Sequence, residues 1–106
     1  MNNIIDTKDL LKIEEGFPKI ALGDKLYEVN DLQENAKKMD ELMKNKDEKL
    51  DKDYQVLIIA FGEEKAKEIS EMKLKSRVHR NLVQIAMATV YGMTVEELKE
   101  AMNSKN

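Results

Sequence analysis

A chain of 106 residues with 21 acidic and 18 basic side chains, a net charge of −3 and 42% hydrophobic residues has the length of one domain. It carries enough apolar material to fold without a disulfide or a metal and is too apolar for a disordered tail. The mixed charge argues against a dedicated nucleic-acid binder, which shows a basic face, and no apolar run approaches the ~20 residues of a membrane span.

Residues 1–16 hold one apolar cluster, Leu10-Leu11-Lys12-Ile13, followed by Glu14-Glu15-Gly16. They read as an N-terminal arm whose order depends on docking. Met1 to Asp6 offers no basic n-region and no long apolar core, so no signal peptide is expected. Zero cysteines fit a reducing compartment, and the expected location is cytoplasmic.

Residues 17–103 read as a single α+β domain, mostly helical, in which an N-terminal β-hairpin packs on a bundle of about four to five helices. Residues 17–29 form the hairpin. Gly23-Asp24 is its two-residue turn, since glycine supplies the positive φ such turns demand. That turn pairs Leu22 with Lys25 and Ile20 with Tyr27, and puts Ile20, Leu22, Tyr27 and Val29 on one face. A lone hairpin is marginal in water, so this face must lie on helices or on the arm.

Asn30 with Gln33 fits a capping box opening a helix over about 31–45. Leu32, Ala36, Met39 and Met43, with Leu42 beside them, give it one apolar face. Lys44 to Lys49 is a polar run, read as a solvated loop. The next segment, 51–61, is apolar on both sides, as a central buried helix would be, although its β-branched content also permits a strand. Gly62 is a natural helix terminator, and a short polar helix over 63–72 carries Ala66 and Ile69.

Ser76 is a candidate N-cap for the longest helix, 77–91. One of its faces holds Val78, Leu82, Ile85, Ala86 and Thr89, and a second holds Val83, Met87, Val90 and Tyr91. Gly92 ends it. Thr94 and Glu97 form another capping box for a last helix over 94–102, with Val95, Leu98, Ala101 and Met102 on its apolar side. Residues 104–106 are a tail.

Catalytic chemistry finds little footing. His79 is the only histidine, and a metal site needs several converging ligands. The pairs Glu63-Glu64 and Glu96-Glu97 lie in first helical turns, where carboxylates complement the helix dipole, and sequence neighbours on a helix do not face each other. No serine sits in a nucleophile elbow. No catalytic, cofactor-binding or metal-ligating residue is therefore assigned, and the chain is expected not to be an enzyme. The basic cluster from Lys73 to Arg80 could meet phosphate or an acidic partner, but such a cluster is more often a solvated helix entrance, and the net negative charge opposes nucleic-acid affinity. Gly92 to Leu98 resembles the turn of a helix-turn-helix, yet too few residues follow Met102 for a recognition helix. What remains is a surplus of apolar surface on two helices, which marks an interaction site wherever the fold leaves it uncovered. Seven methionines suit an adaptable surface, although positions 39, 43, 87 and 102 also suit a core.

Three stretches carry a family resemblance: Leu22-Gly23-Asp24-Lys25-Leu26-Tyr27-Glu28-Val29, Phe61-Gly62-Glu63-Glu64-Lys65-Ala66-Lys67-Glu68-Ile69, and Val90-Tyr91-Gly92-Met93-Thr94-Val95-Glu96-Glu97. In their order, from about Phe17 to Met102, the chain resembles the tail assembly chaperones of long-tailed (siphovirus-type) bacteriophages and prophage elements. The arm Leu10–Gly16 has no counterpart there. The resemblance implies a non-enzymatic protein in the bacterial host cytoplasm. It would bind and shield the phage tape-measure protein during virion assembly and help recruit the tail-tube protein. It also implies a longer frameshifted product, with which the ending Ser104-Lys105-Asn106 is compatible. Val83, Met87, Val90 and Tyr91 are the expected partner-binding residues. Two other readings stay open: a small regulatory or adaptor protein, and a DNA-binding regulator using the basic cluster.

Overall fold

The computed structural model describes residues 16–103. The N-terminal arm up to Glu15 and the tail at 104–106 lie outside the described residues. Two antiparallel strands, β1 (Lys19–Leu22) and β2 (Lys25–Glu28), are followed by five helices: α1 (Gln33–Lys44), α2 (Lys52–Phe61), α3 (Glu63–Glu71), α4 (Ser76–Tyr91) and α5 (Val95–Asn103). This is the mostly helical α+β arrangement expected from the sequence.

The hairpin has the expected register, with Leu22 opposite Lys25 and Ile20 opposite Tyr27. Gly23 adopts φ +66°, a conformation that costs a side-chain-bearing residue free energy and glycine almost none. Tyr27 and Val29 are buried, and Ile20 and Leu22 pack against the core from the same face. Leu26, on the other face, is exposed.

Helix α2 is central. It touches α1, α3, α4 and β2, and buries Val56, Leu57 and Ala60, with Tyr54, Ile58 and Phe61 half-buried around them. The segment that could have been a strand is thus a helix. Apolar positions on both sides suit an element enclosed by others, and Asp51 caps its start by accepting from the Tyr54 N–H at 3.1 Å. Helices α1 and α4 cover it with Met39, Leu42, Leu82, Ala86 and Val90, and α3 adds Ala66 and Ile69.

Two helix starts differ from expectation. No capping box forms at Asn30 and Gln33. Asn30 Oδ1 instead accepts from the Leu32 N–H at 3.1 Å, a local turn that competes with helix geometry, so α1 begins at Gln33 with Leu32 as its uncapped N-cap. Likewise Ser76 is the first residue of α4, whose N-cap is Lys75, without a side-chain bond.

The C-terminus of α2 is closed by residues remote in sequence. Its last carbonyls have no partner within the helix. The Asn30 N–H donates to Ala60 O at 2.8 Å. Asn35 Nδ2 donates to Ile59 O at 2.8 Å and to Asn30 O at 3.1 Å. Asn35 is the one buried polar residue among those described.

Candidate functional site

An apolar groove of about 370 Å³ lies between the C-terminal halves of α1 and α4 and the last helix α5, while a cleft of about 430 Å³ beside Phe17, Glu34 and Lys38 is more polar. Met43, Met87, Met93, Met102, Leu98 and Tyr91 line the groove, with Asp40 and Lys44 at its rim. Four of the seven methionines in the chain therefore meet on one concavity.

The turn after α4 builds it. Gly92 is left-handed, at φ 70° and ψ 32°, and its N–H donates back to α4. The Met93 N–H reaches Ala88 O at 2.9 Å. Such a closure satisfies the last helical carbonyls and reverses the chain. The reciprocal box expected from the sequence then starts α5. The Thr94 N–H donates to Glu97 Oε1 at 2.9 Å, and the Glu97 N–H to Thr94 Oγ1 at 3.1 Å. Leu98, buried, anchors α5 against α4. Met93 and Met102 stay open at 38% and 51% exposure, so the groove wall is reachable from solvent. A smaller cleft of about 200 Å³ runs along the other flank of α5, past Arg80, Val83 and Lys99.

Tyr91 ties the groove to α1. Its hydroxyl donates to Asp40 Oδ1 at 2.6 Å. Burial, then the Asp40 carboxylate, raises the Tyr91 pKa, which keeps the phenol neutral.

A second tyrosine ties the hairpin to α3. The Tyr27 hydroxyl donates to Glu68 Oε2 at 2.8 Å, and its ring meets Phe61 edge-on with centroids 5.9 Å apart. Burial, followed by the Glu68 hydrogen bond and charge, pushes Tyr27 up to about 12, and the same hydrogen bond lowers Glu68. The folded chain thus holds a proton that the unfolded chain releases near pH 10. The stabilisation is complete below about pH 10 and disappears as pH rises from there towards about 12. Urea unfolding followed from about pH 9 to about pH 12 is expected to show falling stability. Tyr27→Phe should shrink that fall, and a flat profile would contradict the assignment.

The four expected partner-binding residues separate. Met87 and Tyr91 line the groove. Val83, 5% exposed, sits at the floor of the smaller cleft, and Val90, 2% exposed, belongs to the core. Val90 is therefore an interior position and not contact surface, and Val83 offers only a small part of its side chain at the cleft floor. A helix with two apolar faces can bury both, and here α5 and the other helices take much of the second. The groove is lined instead by Met43, Met93, Leu98 and Met102, beside Met87 and Tyr91. Met102 is likewise corrected from a core position to an exposed wall. The sequence signal for Leu98 and Met102 is the apolar spacing of the last helix, and for Met43 that of the first. Met93 had none, because it lies in a turn.

His79 is half-buried on α4. Among the described residues no cluster of three or more His, Cys, Asp or Glu side chains is placed to hold a metal ion, and no helix is long and apolar enough to cross a membrane. Comparison with family models, curated proteins and solved structures finds no match to this chain.

Proposed function

We propose that this protein is a non-enzymatic tail assembly chaperone of the long-tailed phage type. It covers apolar helical stripes of a tape-measure protein in the host cytoplasm and helps recruit tail-tube subunits. The observation that carries this reading is the methionine-lined groove, open to solvent on a folded domain. The family likeness of the three stretches through Val29, Ile69 and Glu97 supplies the identity of the occupant.

The chemistry suits temporary cover. Thioether side chains are flexible and polarisable, so one wall can fit many apolar sequences. Burying apolar surface yields about 25 cal/mol per Å² before the costs of association. Each contact is then weak, while many copies along one long target hold together and are displaced easily when a tube closes around it. Co-expression with fragments of candidate tape-measure proteins tests the proposal. The fragment is expected to co-purify with the chain and to remain soluble only in its presence. Fragments that stay folded and soluble alone, and pass unbound over the immobilised chain, would end it.

A further inference from the structure

Away from the groove, α4 leaves a different face uncovered. Successive residues of a helix are 100° apart, which places Arg77, Asn81, Ile85 and Val78 within about 100° of arc. All four are exposed. Val78 and Ile85 are 40% and 39% open, although both are β-branched apolar residues that helices usually turn inward. They lie seven residues apart, two turns or ~10 Å along one ridge, with Asn81 between them.

The charge around this ridge is one-sided. From Met72 to Val95 the chain contains no Asp or Glu, although it holds 21 elsewhere. Lys73, Lys75 and Arg77 stand exposed at the start of the ridge. Among the described residues none of the three forms an ion pair. The first turn of α4 has no acidic residue, so the positive end of its dipole adds to the same field. The neighbouring helices carry their acids elsewhere in the chain: α3 holds Glu63 and Glu64 in its first turn and Glu68 and Glu71 further on, with Glu71 two residues before Lys73, and α5 holds Glu96, Glu97 and Glu100.

We propose that the ridge Arg77–Val78–Asn81–Ile85, with Lys73 and Lys75 at its head, docks an acidic amphipathic helix of a partner protein. The two apolar side chains take an apolar stripe of that helix across two turns, and the three cations meet carboxylates beside the stripe. The mixture selects a protein over a nucleic acid. A phosphate backbone offers nothing to Val78 and Ile85, the ridge has no aromatic ring for stacking, and the net charge of the chain is −3. Two medium-sized apolar side chains without Trp, Phe or Leu also make a poor membrane anchor. This surface is distinct from the methionine groove, and the inference stands whatever the groove binds.

The test uses two synthetic helical peptides with the same leucine stripe, one flanked by glutamates and the other by lysines. Binding to the full chain is measured by calorimetry at low and at moderate salt. The glutamate peptide is expected to bind at least ~10-fold more tightly than the lysine peptide, and raising salt should narrow the gap. The double variant Lys75→Glu/Arg77→Glu should abolish the preference. Val78→Ser/Ile85→Ser should weaken the glutamate peptide ~10-fold or more. All four positions are exposed, and thermal melts that match the unaltered chain establish that the variants fold. Met93→Asp/Met102→Asp, on the groove, should leave this binding unchanged, which separates the two surfaces. Equal affinity for both peptides, binding of neither, or indifference to the ridge variants would overturn the proposal. So would tighter ridge-dependent binding of duplex DNA or phosphatidylserine vesicles. Self-association through the ridge in sedimentation would assign it to a second copy of the chain and overturn it likewise.

Discussion

Replacing Asn35 by leucine is expected to cost about 3 kcal/mol of stability, a large part of what a domain of this size possesses. The size of the two side chains is similar, so the loss comes from hydrogen bonding and not from a cavity. Asn35 Nδ2 serves Ile59 O and Asn30 O at once, and the side chain is 94% buried, being 6% exposed. Leucine leaves both carbonyls without this donor in a place water reaches poorly, and each orphaned group costs about 1–3 kcal/mol. Asn35→Asp should be at least as harmful near neutral pH, because it points a carboxylate at two carbonyl oxygens. Urea unfolding of the two variants measures the effect. A loss below about 1 kcal/mol for the leucine variant would mean that the end of α2 is satisfied some other way.

Partner capture should fall at least ~30-fold when Met93 and Met102 are both replaced by aspartate, with thermal stability nearly unchanged. Both side chains are substantially exposed, so the carboxylates remain hydrated in the free protein. They lose that water only when an apolar helix closes the groove, and burying an unpaired charge is strongly unfavourable. Val90→Asp makes the contrast. Val90 is interior, so its aspartate variant should fail to fold and should lose binding only for that reason. Calorimetric titration of the tape-measure fragment, together with melting curves, distinguishes the two cases. Retained affinity in the folded Met93→Asp/Met102→Asp variant would show that the fragment binds elsewhere.

The elements that could be read ahead of the structure were those governed by neighbours in sequence. Gly23-Asp24 dictates the hairpin register, because a two-residue turn leaves one pairing for the strands. Thr94 and Glu97 satisfy each other's amides across one turn, and Gly92 ends α4 because the left-handed closure suits glycine. Where local chemistry offered two answers, reading went astray. Asn30 could cap a helix or close a turn onto Leu32, and it does the latter because its own amide is drawn to Ala60 O. The groove was half legible. Apolar spacing identified Met87 and Tyr91 as belonging to a second apolar face of α4, but it could not say that α5 would fold over part of that face.

Local sequence alone makes this a short, mixed-charge, mostly helical chain with a leading hairpin and more apolar helix surface than one face requires. Those properties depend on composition, periodicity and turn residues within a few positions of one another. Which apolar residues are core and which are surface depends instead on how the helices pack against one another. Val83, Val90, Met93 and Met102 are all apolar, and what separates the two valines from the two methionines as core and surface is burial, which depends on which helix crosses which. The tertiary structure likewise recruited Asn35 to close a helix that begins beyond the next loop. A helix end can take its missing donor from any part of the chain that arrives within hydrogen-bond distance, and sequence separation places no limit on that arrival.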